Sequence, residues 1–285
     1  METLKRLIVG FSFAPILLIF LFNNFLEGVF FFSVFVLAAI LGFFELKKIF
    51  LNKGVKINSV LVLCFIVVSW LIEYISRPGI LDLEFFIKNN NIQFWLIVML
   101  FSISSAIEVF RKNFDKSFEK IGAEIITFIY LGIMFPNVYK IKMIAYEGPY
   151  IFLYILFVVW ICDIFAYFSG KFFGRHKLNL PVSPNKTLEG FIGGFIFAFI
   201  SAFIIRHFFF SKVSSRIFSL EYFIPITFLL IVLTIIGDLI ESVFKRASHV
   251  KDSQNIVPGH GGVLDIFDSL LLTSTFMYFV LSLFS

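Results

Sequence analysis

The sequence predicts an all-α fold: a polytopic integral membrane protein of about nine transmembrane helices, with its N-terminus inside and its C-terminus outside. Three observations predict it. Of 285 residues, 59% are hydrophobic and the mean hydropathy is +0.96, whereas ordinary soluble domains carry about 45–50% apolar residues. The apolar residues fall into runs of about 17–22, the length at which a helix crosses the hydrocarbon core. Finally, Lys and Arg gather in alternate loops. The chain reads as a single transmembrane domain, 1–285, because no loop is long enough to fold separately. Residues 1–147 carry generic hydrophobic helices, and 148–285 carry the polar motifs.

The elements follow in order. Lys5-Arg6 precedes an apolar run over Leu7–Phe22. No small-x-small cleavage site follows it, so it reads as a retained first helix. Further spans are expected over Gly28–Phe44, Ile57–Ile75, Ile92–Phe110, Ile121–Tyr139, Pro149–Phe168, Gly190–Phe210, Phe223–Ile240 and Ile266–Phe284. With the N-terminus inside, seventeen of the 24 Lys and Arg residues fall in inner loops and seven in outer ones. That asymmetry is the positive-inside pattern, and it places the polar motifs on the cytoplasmic side of a cell inner membrane.

The net charge of +5 is scattered over short loops. No nucleic-acid partner is expected, because there is no dedicated basic domain. Cys64 and Cys162 both lie in apolar runs without Cys-x-x-Cys spacing and read as buried free thiols. Glu45, ahead of Lys47-Lys48, reads as an interfacial charge, and Glu73, Glu108 and Glu124 as snorkelling groups near helix ends. His176, His207 and His249 read as loop or interfacial residues.

Chemistry concentrates near the C-terminus. The chain runs Gly237-Asp238, then Glu241-Ser242, Lys245-Arg246, Lys251-Asp252, Pro258-Gly259-His260-Gly261-Gly262, Asp265 and Asp268. Ionisable groups at membrane depth cost roughly 2.5–3.5 kcal/mol each on insertion scales, so a cluster of them marks a functional site. Asp238, Ser242 and Lys245 recur at helical spacing, as do Asp265 and Asp268. Two carboxylate sets of this kind suit a hard cation. The glycines between them allow a backbone anion nest. Together these parts suit a nucleotide triphosphate or pyrophosphate. The plainer alternative is a polar loop whose glycines only turn the chain.

A second constellation begins at Asp163 inside an apolar run and continues through Ser183-Pro184-Asn185-Lys186-Thr187-Leu188-Glu189-Gly190. Asp163 should face a polar cavity or a partner; one alternative is an ion pair to Lys186. Lys186 and Thr187 can bind phosphate at a helix N-terminus. A plain helix cap is the alternative for that loop.

The C-terminal stretch resembles the signature of the phosphatidate cytidylyltransferases, S-x-x-K-R-x4-K-D-x5-P-G-H-G-G-x-x-D-R-x-D. Ser242, Lys245, Arg246, Lys251, Asp252, Pro258, Gly259, His260, Gly261, Gly262, Asp265 and Asp268 fit it, and Ile266 stands where that family has Arg. The family also has a similar Ser-Pro-x-Lys-Thr-x-Glu-Gly element, so the resemblance covers about Asp163 to Asp268. It implies transfer of CMP from CTP to phosphatidate, a membrane lipid, yielding CDP-diacylglycerol and pyrophosphate. It further implies a divalent ion, Mg2+ or Mn2+, with K+ beside it, on Asp238 and Asp265. Asp163 and Lys186 would complete the catalytic set. Ser183, Asn185, Thr187, Glu189, Ser242, Asp268 and the basic and glycine positions would bind substrate, and His260 would reach a phosphate. A CTP-dependent polyprenol or lipid kinase and a transporter of an anionic solute are the competing classes. A homodimer is carried as an open alternative.

Overall fold

A computed structural model describes residues 19, 21–22, 28–76, 91–111, 114–144, 147–209, 216–248 and 261–284. The described chain is helical, with only two isolated bridges, Lys177 to Thr187 and Leu180 to Ser183. The helices are α1 (Val29–Asn52), α2 (Ser59–Ile75), α3 (Ile92–Val109), α4 (Ser117–Phe128), α5 (Pro136–Lys142), α6 (Gly148–Phe173), α7 (Leu188–Phe209), α8 (Leu220–Ala247) and α9 (Leu264–Phe284). A π-turn, Ile129–Met134, joins α4 to α5, so Ser117–Lys142 acts as one span. Among the described residues seven helices are long and apolar enough to cross a membrane. α2 is a shorter apolar helix of 17 residues, and the expected first span lies almost wholly outside the described residues.

Several expected boundaries move outward. α1 continues past Phe44 to Asn52, α6 past Phe168 to Phe173, and α8 past Ile240 to Ala247. In α1 and α8 polar residues that mark a loop by composition are good helix formers, and they carry the last turns beyond the apolar stretch; α6 continues through Ser169 and Gly170, where Gly170 lies close against Thr187 and Gly190. α2 begins at Ser59 rather than Ile57, because Asn58 caps it and accepts from the Leu61 amide at 3.3 Å.

The chain divides into two compact units: Met1–Tyr139 with Ala247–Asp265, and Lys140–Arg246 with Ile266–Ser285. In the first, aromatic side chains fill the core. Phe32 meets Trp70, Tyr74 and Tyr139, and Phe135 meets Phe35 and Trp70. The π-turn takes up the break before Pro136, which lacks an amide hydrogen. Carbonyls displaced by it still find donors on α2: Ser69 Oγ donates to Gly132 and Trp70 Nε1 to Leu131, the latter at 3.0 Å. That satisfaction is obligatory where lipid offers no water.

Three acidic side chains depart from their expected places. Glu45 is 0% exposed and accepts from the amides of Val263 and Leu264 at 2.7 and 2.9 Å. Glu124 is also 0% exposed and accepts from the Asn58 amide at 2.6 Å and from Ser104 Oγ. Glu108 is buried and accepts from Lys120 Nζ at 2.5 Å and Ser117 Oγ at 2.8 Å. All three are buried within the protein rather than reaching outward along a helix surface. Each found buried donors, and a buried charge is retained only when it is paired and hydrogen-bonded. Glu73, half-buried, accepts from Gln93 Nε2.

The second unit is built on close helix approach. On α7, Gly190, Gly194, Ala198 and Ala202 form a buried ladder at four-residue spacing, while Ile192, Ile196, Ile200 and Ile204 form an outward one. A Cβ on Gly194 would stand 2.8 Å from the Cys162 carbonyl, and one on Gly190 would stand 2.8 Å from that of Ala166. Small residues let backbones meet in this way where hydrophobicity gives helices no preference for one another. The Ile ladder faces outward, which costs nothing in lipid. Cys162 is a buried free thiol, as expected, but Cys64 is exposed on its helix. Its outward face suits lipid, so apolar surroundings did not require burial.

Candidate active site

The site of the second unit grows from the hairpin α6–α7. The connecting segment 174–187 folds back on itself. Leu178 N donates to the Lys186 carbonyl at 2.9 Å, Ser183 N to the Leu180 carbonyl at 3.0 Å, and Leu188 N to the His176 carbonyl at 2.9 Å. Thr187 caps α7, its Oγ1 accepting from the Gly190 amide at 3.1 Å. Glu189 in the first turn accepts from the His176 amide at 3.2 Å and contacts His176 Nδ1 at 2.6 Å. The carboxylate thus closes the hairpin at its base, near a helix N-terminus that favours negative charge.

Two contacts tie this hairpin to α8. Lys186 Nζ donates to Asp238 Oδ2. Arg246 Nε donates to the Val182 carbonyl at 3.2 Å. Lys186 therefore pairs with Asp238 and not with Asp163, the partner weighed from sequence. Asp163 still lies within electrostatic range of both, and Asp268 within range of Asp163, Asp238 and Lys245. α9 comes this close because Gly237 has no side chain. A Cβ there would stand 2.7 Å from Ser269 Cα and 3.0 Å from the Asp268 carbonyl. Ser269 Oγ seals the approach by donating to the Thr234 carbonyl at 2.9 Å.

Other expected residues are committed locally. Lys245 Nζ donates to the buried Glu241 at 2.5 Å. Ser183, Asn185 and Ser242 lie on the hairpin and on α8. In the first unit, Gly261 takes φ +91°, a conformation that suits glycine. Asp265 Oδ2 accepts from the Gly262 amide at 2.7 Å. The amides of Gly262, Val263 and Leu264 are thus all directed at carboxylates. Lys251, Asp252, Pro258, Gly259, His260 and His249 lie outside the described residues.

Comparison with known proteins decides the family. A family model described as the cytidylyltransferase family matches residues 4–284. The chain belongs to the cytidylyltransferase family. A phosphatidate cytidylyltransferase of Bacillus subtilis is 35% identical over 242 residues, 85% of each chain. One from Haemophilus influenzae is 43% identical over 141 residues, 48% of each chain. One from Staphylococcus haemolyticus is 37% identical over 182 residues, covering 64% of this chain and 66% of that relative.

Asp163, Asp238 and Asp268 place three carboxylates from three helices in one region, with the Lys186 cation among them. Carboxylate oxygens are the donor type a hard divalent cation takes, so the set matches such an ion in donor type alone. Among the described residues no three His, Cys, Asp or Glu side chains converge closely enough to hold a metal, and Asp238 is engaged by Lys186. Sequence reasoning placed His176 in a loop but did not foresee its contact with Glu189, and it did not foresee the burial of Glu45. For Glu45 a signal existed: a carboxylate inside a long apolar helix is a functional candidate by default.

Proposed function

We propose that this multi-pass membrane enzyme transfers CMP from CTP to phosphatidate, forming CDP-diacylglycerol and releasing pyrophosphate. The observation that carries the reading is the Lys186–Asp238 pair. It joins the two polar constellations, the Ser-Pro-Asn-Lys-Thr hairpin and the Gly-Asp element of α8, which the sequence left 52 residues apart. A phosphate oxygen of phosphatidate attacks the α-phosphorus of CTP. The new P–O bond forms as the bond to the β-phosphate bridging oxygen breaks, and that oxygen leaves with pyrophosphate. Both reactants are anionic, so the site must offset charge before they can meet.

The chain's own residues supply that offset and the positioning. Lys186 brings a cation to the carboxylates. Thr187 and Glu189 fix the hairpin that carries it, and Arg246 anchors the hairpin tip. When bound, a divalent ion, Mg2+ or Mn2+, supplies Lewis acidity and a template for the phosphates. Asp238 and Asp265 are the residues assigned to hold it, with K+ beside; that assignment rests on their match to the family pattern. The site faces the cytoplasm in this reading, which rests on the seventeen-to-seven division of basic residues. A reporter placed at residues 251–254 should then appear inside, and one after Ser285 outside.

The deciding experiment gives purified protein phosphatidate with CTP labelled at the α- or the γ-phosphorus. The α-label should enter lipid and the γ-label should leave as pyrophosphate. Entry of the γ-label into lipid would replace this reading with the lipid kinase.

A further inference from the structure

We infer that Glu45 is a positioning residue for this reaction, holding the first turn of α9 and through it Asp265; the inference rests on the proposed function. Glu45 lies on α1, outside the region that carries the polar motifs. Its carboxylate is 0% exposed, and its two oxygens accept from Val263 N and Leu264 N at 2.7 and 2.9 Å, across 218 and 219 residues of sequence. One turn earlier, Gly42 brings the α1 backbone against the same segment: a Cβ there would stand 3.0 Å from Leu264 Cδ2 and 3.3 Å from Leu131 Cδ2. α1 thus touches the start of α9 at Gly42 and grips it at Glu45.

The arrangement is an expensive way to cap a helix. The amides at a helix start need acceptors, and a local Ser, Thr, Asp or Asn normally provides one without burying charge. Here the residue before α9 is Val263, which has no acceptor. The chain instead buries a distant carboxylate, at a desolvation cost that only strong, well-placed donors offset. The return is rigidity. With Val263 N and Leu264 N held by Glu45, and Gly262 N held by Asp265 Oδ2 at 2.7 Å, three successive amides are tied to carboxylates. The backbone and the side chain of Asp265 are then both fixed. A residue two positions from such a double anchor cannot drift, and outer partners of this kind typically govern 10–100-fold in activity or affinity.

The test uses full-length protein in detergent and compares Glu45→Gln with Glu124→Gln. Glu124 is an equally buried carboxylate that accepts a backbone amide in the same unit but has no part in α9. Both variants should lower the unfolding midpoint. Only Glu45→Gln should speed amide hydrogen exchange across residues 261–266 and lower kcat by about 10–100-fold, with KM for CTP little changed. Combined with Asp265→Asn, Glu45→Gln should add less than about twofold to the loss, because both act on one group. Glu45→Asp serves if the Gln variant does not fold; its shorter carboxylate should show the same changes in milder form. Unchanged exchange, a kcat within about twofold of wild type, or losses that multiply fully with Asp265→Asn would each overturn the inference. Failure of the wild type to make CDP-diacylglycerol would sink the proposed function instead, and the exchange comparison would still decide whether Glu45 holds the turn.

Discussion

Lys186 donates a hydrogen bond to Asp238 across 52 residues of sequence, linking the α6–α7 hairpin to α8. The pair sits beside two further carboxylates, Asp163 and Asp268. Lys186 therefore brings positive charge into a strongly negative region, and the consequences of removing it can be stated.

Lys186→Met should lower kcat/KM by about 100–1,000-fold, the range seen when a group that offsets transition-state charge is removed. Lys186→Arg keeps the charge with different geometry and should retain clearly more activity than Met. Steady-state release of pyrophosphate from CTP measures both. A Met variant within about threefold of wild type would remove Lys186 from the site.

Asp238→Asn and Asp265→Asn should each lose nearly all turnover while the protein stays folded, since each keeps its size and loses an anionic ligand. The double variant should be no worse than either single one, because one broken metal site cannot be broken twice. Titration of Mg2+ and Mn2+ against all four proteins gives the readout. Wild-type activity that survives exhaustive chelation would end the metal assignment.

Gly237→Ala should push α9 away from α8, because the new methyl would meet Ser269 Cα at 2.7 Å. Overpacking of this kind costs about 1–3 kcal/mol, and the shift should reduce turnover as well as the unfolding midpoint. Gly122→Ala is the matched control: nothing lies within 4 Å of that position, and replacing a mid-helix glycine gains about 0.5–1 kcal/mol. Equal effects from the two substitutions would contradict the packing.

Lys120→Met should destabilise the first unit by on the order of 3 kcal/mol, because it strands buried charge. Lys120 is 4% exposed, with Glu108 Oε1 at 2.5 Å and Glu124 Oε1 at 3.7 Å. Adding Glu108→Gln to Lys120→Met should recover much of that loss, since the stranded carboxylate is then neutral. Unfolding in detergent measures the cycle, and a double variant worse than Lys120→Met alone would refute the pairing.

Ile266→Arg, which restores the basic residue of the family signature, should leave turnover unchanged or lower it. Ile266 is half-buried in the first turn of α9, where the helix dipole disfavours a cation by about 0.3–1 kcal/mol. A clear gain in activity or CTP affinity would show that a needed contact is missing.

The sequence by itself determined the all-helical, multi-span class and the identity of the polar groups. Helix length and apolar content are written locally in the chain, within the run that forms each span. Asp163, Asp238 and Asp268 were legible because charge inside or at the edge of an apolar run is costly wherever the run packs, and Lys186 because it sits in a polar loop entering a helix. Their partners were not legible. Lys186 suited Asp163 as well as Asp238 by composition, and helix packing chose Asp238, with Gly237 admitting α9 alongside. Glu45 read as an interfacial charge beside Lys47 and Lys48, yet α1 runs on to Asn52 and buries it against amides 218 residues away. Glu108 and Glu124 were misread for the same reason. What a charge costs is local to the chain, but which donors offset it depends on where distant helices come to rest, and only the tertiary structure decides that.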